Sequence, residues 1–207
     1  MRLLVALVVW VLAAFGAVEV SNVVADSIHT QSGGSSGGGG GGTDPSSVGA
    51  TDPESLFKTA NFTKALATAR SRLGANAQID DAAVYPGYLD LIVVQNGSEV
   101  DFYVSTFGEV DQTNTGGSSG GDTLFPLSKI KPTVPASLTR RIAATGLVPA
   151  SQLAYMVAEA DPISNKFTWL VYPKQGTAVE YFQSAEGTGP LFVLRSNSNS
   201  GPEPVSP

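Results

Sequence analysis

The sequence has no cysteine, one histidine and only 12 Lys and Arg among 207 residues, and those bases form no run. Without cysteine there are no disulfides, no thiolate nucleophile, no thiolate zinc site and no lipid-modified cysteine, so packing alone must hold the fold. The single histidine, His29, lies in a glycine-rich stretch, which leaves the folded part without an imidazole base. Scarce bases against 18 Asp and Glu give a net charge of −6, and a chain of that charge lacks the footprint of a nucleic-acid binder.

Other chemistries are missing as well. No glycine loop carries the lysine that cradles phosphate. Asp161-Pro162-Ile163-Ser164-Asn165 has turn composition rather than calcium-loop spacing. Stretches from Gly33, Gly116 and Gly117 match G-x-S-x-G, but they are glycine tracts with no histidine beside them, and read as low-complexity linker. Asn61 and Asn96 begin glycosylation sequons that short sequences produce by chance. No metal and no cofactor are expected.

What is present begins with Leu3–Val18, apolar throughout and preceded by Arg2. Its length lies between a signal-peptide core and a spanning helix, so residues 1–25 are expected to be either a signal cleaved after Ala25 or an N-terminal membrane anchor. Either form places the rest outside the cytoplasm, secreted or anchored. Residues 26–52 read as a flexible Gly/Ser spacer with a root-mean-square reach of about 25–30 Å.

Order is expected from Asp52-Pro53-Glu54. Phe62, Leu66, Ala69 and Leu73 share one face at helical spacing, Asn61 is a candidate cap, and Gly74 is a stop. The period then changes to two, predicting strands over 77–84, 89–95 and 98–107, the last two joined at Asn96-Gly97. Residues 53–112 thus form a first helix-plus-three-strand unit, and the glycine-rich 113–134 a linker. Residues 135–195 form a second unit, with Leu138 and Ile142 on a helix ending at Gly146, strands at 152–159, 166–172 and 178–184, and a last extended piece at 191–195. The Pro- and Ser-rich tail, 196–207, is expected to be disordered.

The two units read alike. GSEVDFYVSTFG from Gly97 matches GTAVEYFQSAEG from Gly176, and Leu66 and Gly74 match Leu138 and Gly146. The predicted fold class is therefore α+β, with two tandem helix-plus-antiparallel-meander repeats and the helices on one face of the sheet. In element order this resembles the small exported α+β modules of the PepSY and beta-lactamase-inhibitor-protein type. The resemblance implies a sheet whose second face is open to a partner, often in inhibition or regulation of another exported protein.

Strict alternation puts Val100, Phe102, Val179 and Tyr181 on one sheet face and Asp101, Tyr103, Glu180 and Phe182 on the other. The acid-bearing face should be outward, so Asp101, Tyr103, Glu180 and Phe182 are the candidate partner-binding residues. Trp169, with Phe167 and Val171, is expected in the core. Asp80 and Asp81, adjacent on a strand, are expected on opposite faces, and Asp90 is a further candidate acid. The expected function is non-enzymatic binding, inhibitory or regulatory, of another exported or membrane protein or peptide. The alternatives are a small-ligand sensor with a pocket between the repeats, or a carboxylate hydrolase using Asp101 and Glu180.

Overall fold

Two short amphipathic helices and ten strands account for almost all regular structure in the computed structural model, which describes residues 44–118, 123–160, 166–196 and 201–206. The leader and most of the expected spacer lie outside the described residues. Among those residues, no helix is long and apolar enough to cross a membrane.

Helix α1, Thr59–Leu73, buries Phe62, Ala65, Leu66 and Ala69, and Gly74 follows it. Asn61 does not cap it. Its amide donates instead to the carbonyls of Pro53 and Ser55, at 2.8 and 3.0 Å, tying down the turns that lead into the helix. Helix α2, Val134–Ala144, starts with Pro135 in its first turn and buries Leu138 and Ile142. Neither helix contains an acidic residue.

The strands are β1 Gln78–Val84, β2 Tyr88–Gln95, β3 Ser98–Ser105, β4 Val110–Ser118, β5 Phe125–Pro126, β6 Leu153–Ala160, β7 Phe167–Pro173, β8 Val179–Ala185, β9 Leu191–Arg195 and β10 Glu203–Val205. Asn96 and Gly97 link β2 to β3 with φ of 54° and 81°, the left-handed pair that a two-residue hairpin requires.

The expected fold is corrected at the level of the sheet. There are not two helix-plus-meander repeats but one continuous ten-stranded antiparallel sheet, ordered β10-β9-β8-β7-β6-β1-β2-β3-β4, with β5 paired to the start of β1. The join is β1 on β6, from Asp81 opposite Glu159 to Val84 opposite Met156. The meanders also run past three strands each. Residues 113–134, expected as a linker, hold the end of β4, then β5 and a turn of 3-10 helix at Leu127–Lys129. The tail, expected to be disordered, supplies β10, whose Glu203–Val205 pairs with β9. Order also begins earlier than Asp52: Pro45–Ser47 form a turn capped by Asp44, and Ala50 is buried.

Cross-strand register explains which face is covered. Val193, Phe182, Val171, Met156, Val84, Leu89 and Val104 are successive partners across seven strands, and each is buried. A second row runs Leu191, Ser184, Trp169, Ala158, Ala82, Leu91 and Phe102. Apart from the buried Ser184, both rows belong to one hydrophobic cluster with the buried apolar side chains of α1 and α2, so the two helices cover this face. Arginines pin the helices down: Arg70 donates to the Ile130 carbonyl, and Arg141 to those of Gly187 and Gly189. At the end of the β1–β2 turn, the 44–58 segment packs so closely on Gly87 that a Cβ there would lie 1.8 Å from the Pro45 oxygen.

Phe182 has no exposed surface, so the face assigned to it by strict alternation is reversed. Phe182→Ala is expected to cost about 3–5 kcal/mol of unfolding free energy. Its half-exposed neighbour should be much less sensitive, Tyr181→Ala costing about 1 kcal/mol. Urea unfolding of the two variants checks the order; equal losses would return Phe182 to the outer face.

Candidate functional site

A strand buries alternate residues unless an extra residue is inserted, and three insertions shape the helix-free face. In β1 the register slips at Asp80, in β6 at Ala154, and in β8 at Glu180. Each slip leaves two residues between consecutive core positions: Ile79 and Ala82, Leu153 and Met156, Val179 and Phe182. Asp80 and Asp81 are consequently both turned off the core, not split between faces. In β8 the same slip sends Phe182 inward and leaves Tyr181 on the open side, beside Tyr172.

All six tyrosines of the chain form one row across this face, in the order Tyr103, Tyr88, Tyr85, Tyr155, Tyr172, Tyr181. Successive ring centroids are 5.2, 4.4, 5.3, 4.7 and 5.9 Å apart. The three contacts at 4.4, 5.3 and 4.7 Å are stacked, and the outer two are tilted. Each such pair is worth about 0.5–1.5 kcal/mol beyond the area it covers. Burial, then neighbouring acids, raises the phenol pKa of Tyr103 and of Tyr181 to about 12. The phenols of Tyr85, Tyr88 and Tyr172 are also raised, by burial first.

Beside the tyrosines runs a mixed row, Tyr103, Asp90, Ala83, Val157, Leu170, Gln183 and Phe192. Next to it comes an acidic one, Asp101, Ile92, Asp81, Glu159 and Thr168. Burial is the main cause that lifts the Asp81 carboxyl from 3.8 to about 7, and the charges of Glu159 and Asp80 add to it against the backbone N–H of Ala82. Asp90 is raised well above the ordinary carboxylate range, by burial first, then by its hydrogen bond to Asp101 and the charge of that residue. The protonated form of Asp90, hydrogen-bonded to Asp101, is therefore favoured. The Oδ1 atoms of Asp81 and Asp90 are both buried without a hydrogen-bond partner, although the Asp81 side chain as a whole keeps some surface.

Of the four residues expected to bind a partner, Asp101 and Tyr103 lie on the helix-free face, half exposed. Glu180 is exposed at the inserted position of β8, and Phe182 is in the core. Four strands separate β3 from β8, a spacing of roughly 24 Å at about 4.8 Å per step. Asp101 and Glu180 thus form no acid–base pair. The acids that do meet, Asp90 with Asp101 and Asp81 with Glu159, come together through strand pairing. Trp169 is fully buried, as expected.

Among the described residues no group of three acids or histidines converges as a metal site. On the helix side there is a shallow, mostly apolar depression of about 430 Å³, lined by Phe57, Lys58, Thr59, Ala136, Thr139 and Arg140 among others. No family model matches the chain, and neither a curated protein nor a solved structure matches it.

The raised Asp81 pKa sets a stability window. The folded chain holds a proton on Asp81 that the unfolded chain releases above about pH 4, so this stabilisation is complete below pH 4 and is lost as pH rises toward 7. Asp81→Asn and Asp90→Asn should each melt higher than wild type at pH 8, by at least about 2–4 °C for each kcal/mol recovered. The gap should close toward pH 4. Thermal melts across that range test it; an amide that destabilises at pH 8 would contradict a cost of burying these carboxyls in charged form.

Proposed function

We propose that this chain is an exported, non-enzymatic binding module that engages another extracytoplasmic protein or peptide through the helix-free face of its sheet. The observation that carries this reading is the six-tyrosine row on the face that the helices leave uncovered. Tyrosine is enriched at protein interfaces because it offers a large, rigid contact area with a polar tip and little rotamer entropy to lose. The apolar Leu3–Val18 leader supports export. A binding role also fits the separation of Asp101 from Glu180.

The test uses two full-length proteins, wild type and a Tyr155→Ser/Tyr172→Ser variant, compared after far-UV spectra and melts show that both fold. Each is incubated with extracytoplasmic extract, with a photo-crosslinking residue in place of Leu170. A discrete partner crosslinked by wild type and lost from the tyrosine variant is the expected result. Undiminished crosslinking in the variant, or none in either, would overturn the assignment of this face.

A further inference from the structure

Charge is sorted between the two layers of the molecule. Lys58, Lys64, Arg70, Arg72, Arg140 and Arg141 lie on or beside the helices, and Lys129 and Lys131 lie in the segment joining them to the sheet. Arg70 and Arg141 are engaged there with backbone carbonyls. The strand positions of the helix-free face carry Asp81, Asp90, Asp101, Glu159 and Glu99 and, among the described residues, no Lys or Arg. Three further bases lie at strand ends: Lys166, which has a partner of its own, and the exposed Lys174 flank β7, and the exposed Arg195 ends β9 opposite the buried Val179, in register with the covered face.

A second observation points outward from this cluster. Asp90 is only 8 % exposed, and its Oδ1 meets no donor from the protein; the Oδ1 of Asp81 is in the same position. Buried acceptors left open in this way favour a donor brought by a partner. The rings beside them supply the other half of a cation site, since a guanidinium or ammonium over tyrosine faces gains from the ring quadrupole.

The shape of the patch selects among cations. The tyrosine row crosses six adjacent strands, roughly 24 Å at about 4.8 Å per step, which is the span of about seven residues of extended chain at about 3.3 Å each. We infer that the partner segment lying along this face is an extended basic peptide, whose Lys or Arg side chains seat against Asp81, Asp90 and Asp101 with the tyrosine rings alongside. This rests on the assignment of the helix-free face as the binding surface and names the chemistry of what it binds.

Protons should be linked to binding. The groups that act on Asp81 are Asp80 and Tyr85 from β1 and the turn after it, Asp90 from β2, Glu159 from β6 and Tyr172 from β7, with Asp101 of β3 two strands along the same row. With Asp81 titrating near pH 7, a cation at this place displaces protons, so affinity rises from pH 6 to pH 8.

The probe is an eight-residue blocked peptide of alternating Arg and Ser, compared with the same peptide carrying citrulline, which keeps the shape of arginine but not its charge. Titration calorimetry with the full chain, in two buffers of different ionisation enthalpy, should show binding that weakens with salt and releases protons at pH 7. The citrulline peptide should bind at least about tenfold more weakly. Asp81→Asn/Asp90→Asn, which is expected to fold more stably than wild type, should cost about tenfold in arginine-peptide affinity. Equal binding of the two peptides, no binding of either, or full affinity in the double Asn variant would overturn the inference. A crosslinked partner that is lost with Tyr155→Ser/Tyr172→Ser but not displaced by the arginine peptide would overturn it too, while leaving the face assignment standing. Arginine-peptide binding undiminished by those tyrosine changes would overturn both.

Discussion

The pairing of β1 with β6 is the contact on which the rest of the molecule depends. Four residue pairs join the first strand of one meander to the first strand of the next, across more than seventy residues of chain whose closure must be offset by the contacts it allows. On the covered face, the pairing sets Val84 against Met156 and Ala82 against Ala158, all buried, and so fuses what would be two marginal cores into one. On the open face it sets Asp81 against Glu159 and brings the Tyr85 ring within 5.3 Å of Tyr155. Each meander alone would own three tyrosines and an exposed strand edge. Stability and candidate site are therefore products of one interaction.

The aromatic residues are sorted by what their tips require. Phe57, Phe62, Phe102, Phe125, Phe167 and Phe182 are buried, with Phe107 and Phe192 the described exceptions, whereas every tyrosine keeps some surface. A phenol in the core needs a hydrogen-bond partner, but at the surface its hydroxyl reaches water while the ring packs on its neighbour. The same rule reads the two similar hairpins. Phe102-Tyr103 and Tyr181-Phe182 are written in opposite order, and in both the phenylalanine goes in and the tyrosine out. The inserted residue at Glu180 makes that possible by shifting the phase of β8 by one.

That inversion also marks where the sequence could be read and where it could not. Local signals were legible: the buried stripes of both helices, the stop at Gly74, the Asn96-Gly97 hairpin and the core position of Trp169 all follow from spacing within a few residues. The join of β1 to β6 was not, because antiparallel pairing between distant strands leaves no local trace. Nor was β4, whose glycines, serines and threonines have linker composition and gain their hydrogen bonds from β3. Of the candidate site, Asp101 and Tyr103 were legible because β3 alternates without interruption from Val100 onward. Phe182, Asp80 and Asp81 were misplaced because an insertion of one residue flips every side chain after it. The clue to Phe182 was available in the swapped order of Phe and Tyr; the clue to Asp90 meeting Asp101 lay only in register.

Placing carboxyl groups beside a tyrosine row is costly, and the benefit lies in what it makes the face refuse. A ten-stranded sheet with one bare face of Val157, Leu170, Ile92 and aromatic rings would stack on a second copy of itself, as flat apolar sheets do. Acids at the centre of that face oppose such stacking, because two copies would bring their carboxylates together in a drying interface. The same groups reward a partner of opposite charge. Burial first, and then their mutual repulsion, favours the protonated form of Asp81 and Asp90 while the face is empty, so the approach of a cation draws out charge. The face is therefore not a fixed negative surface. Its charge is set by its occupant, which lets one arrangement of residues discourage self-association and favour a basic ligand.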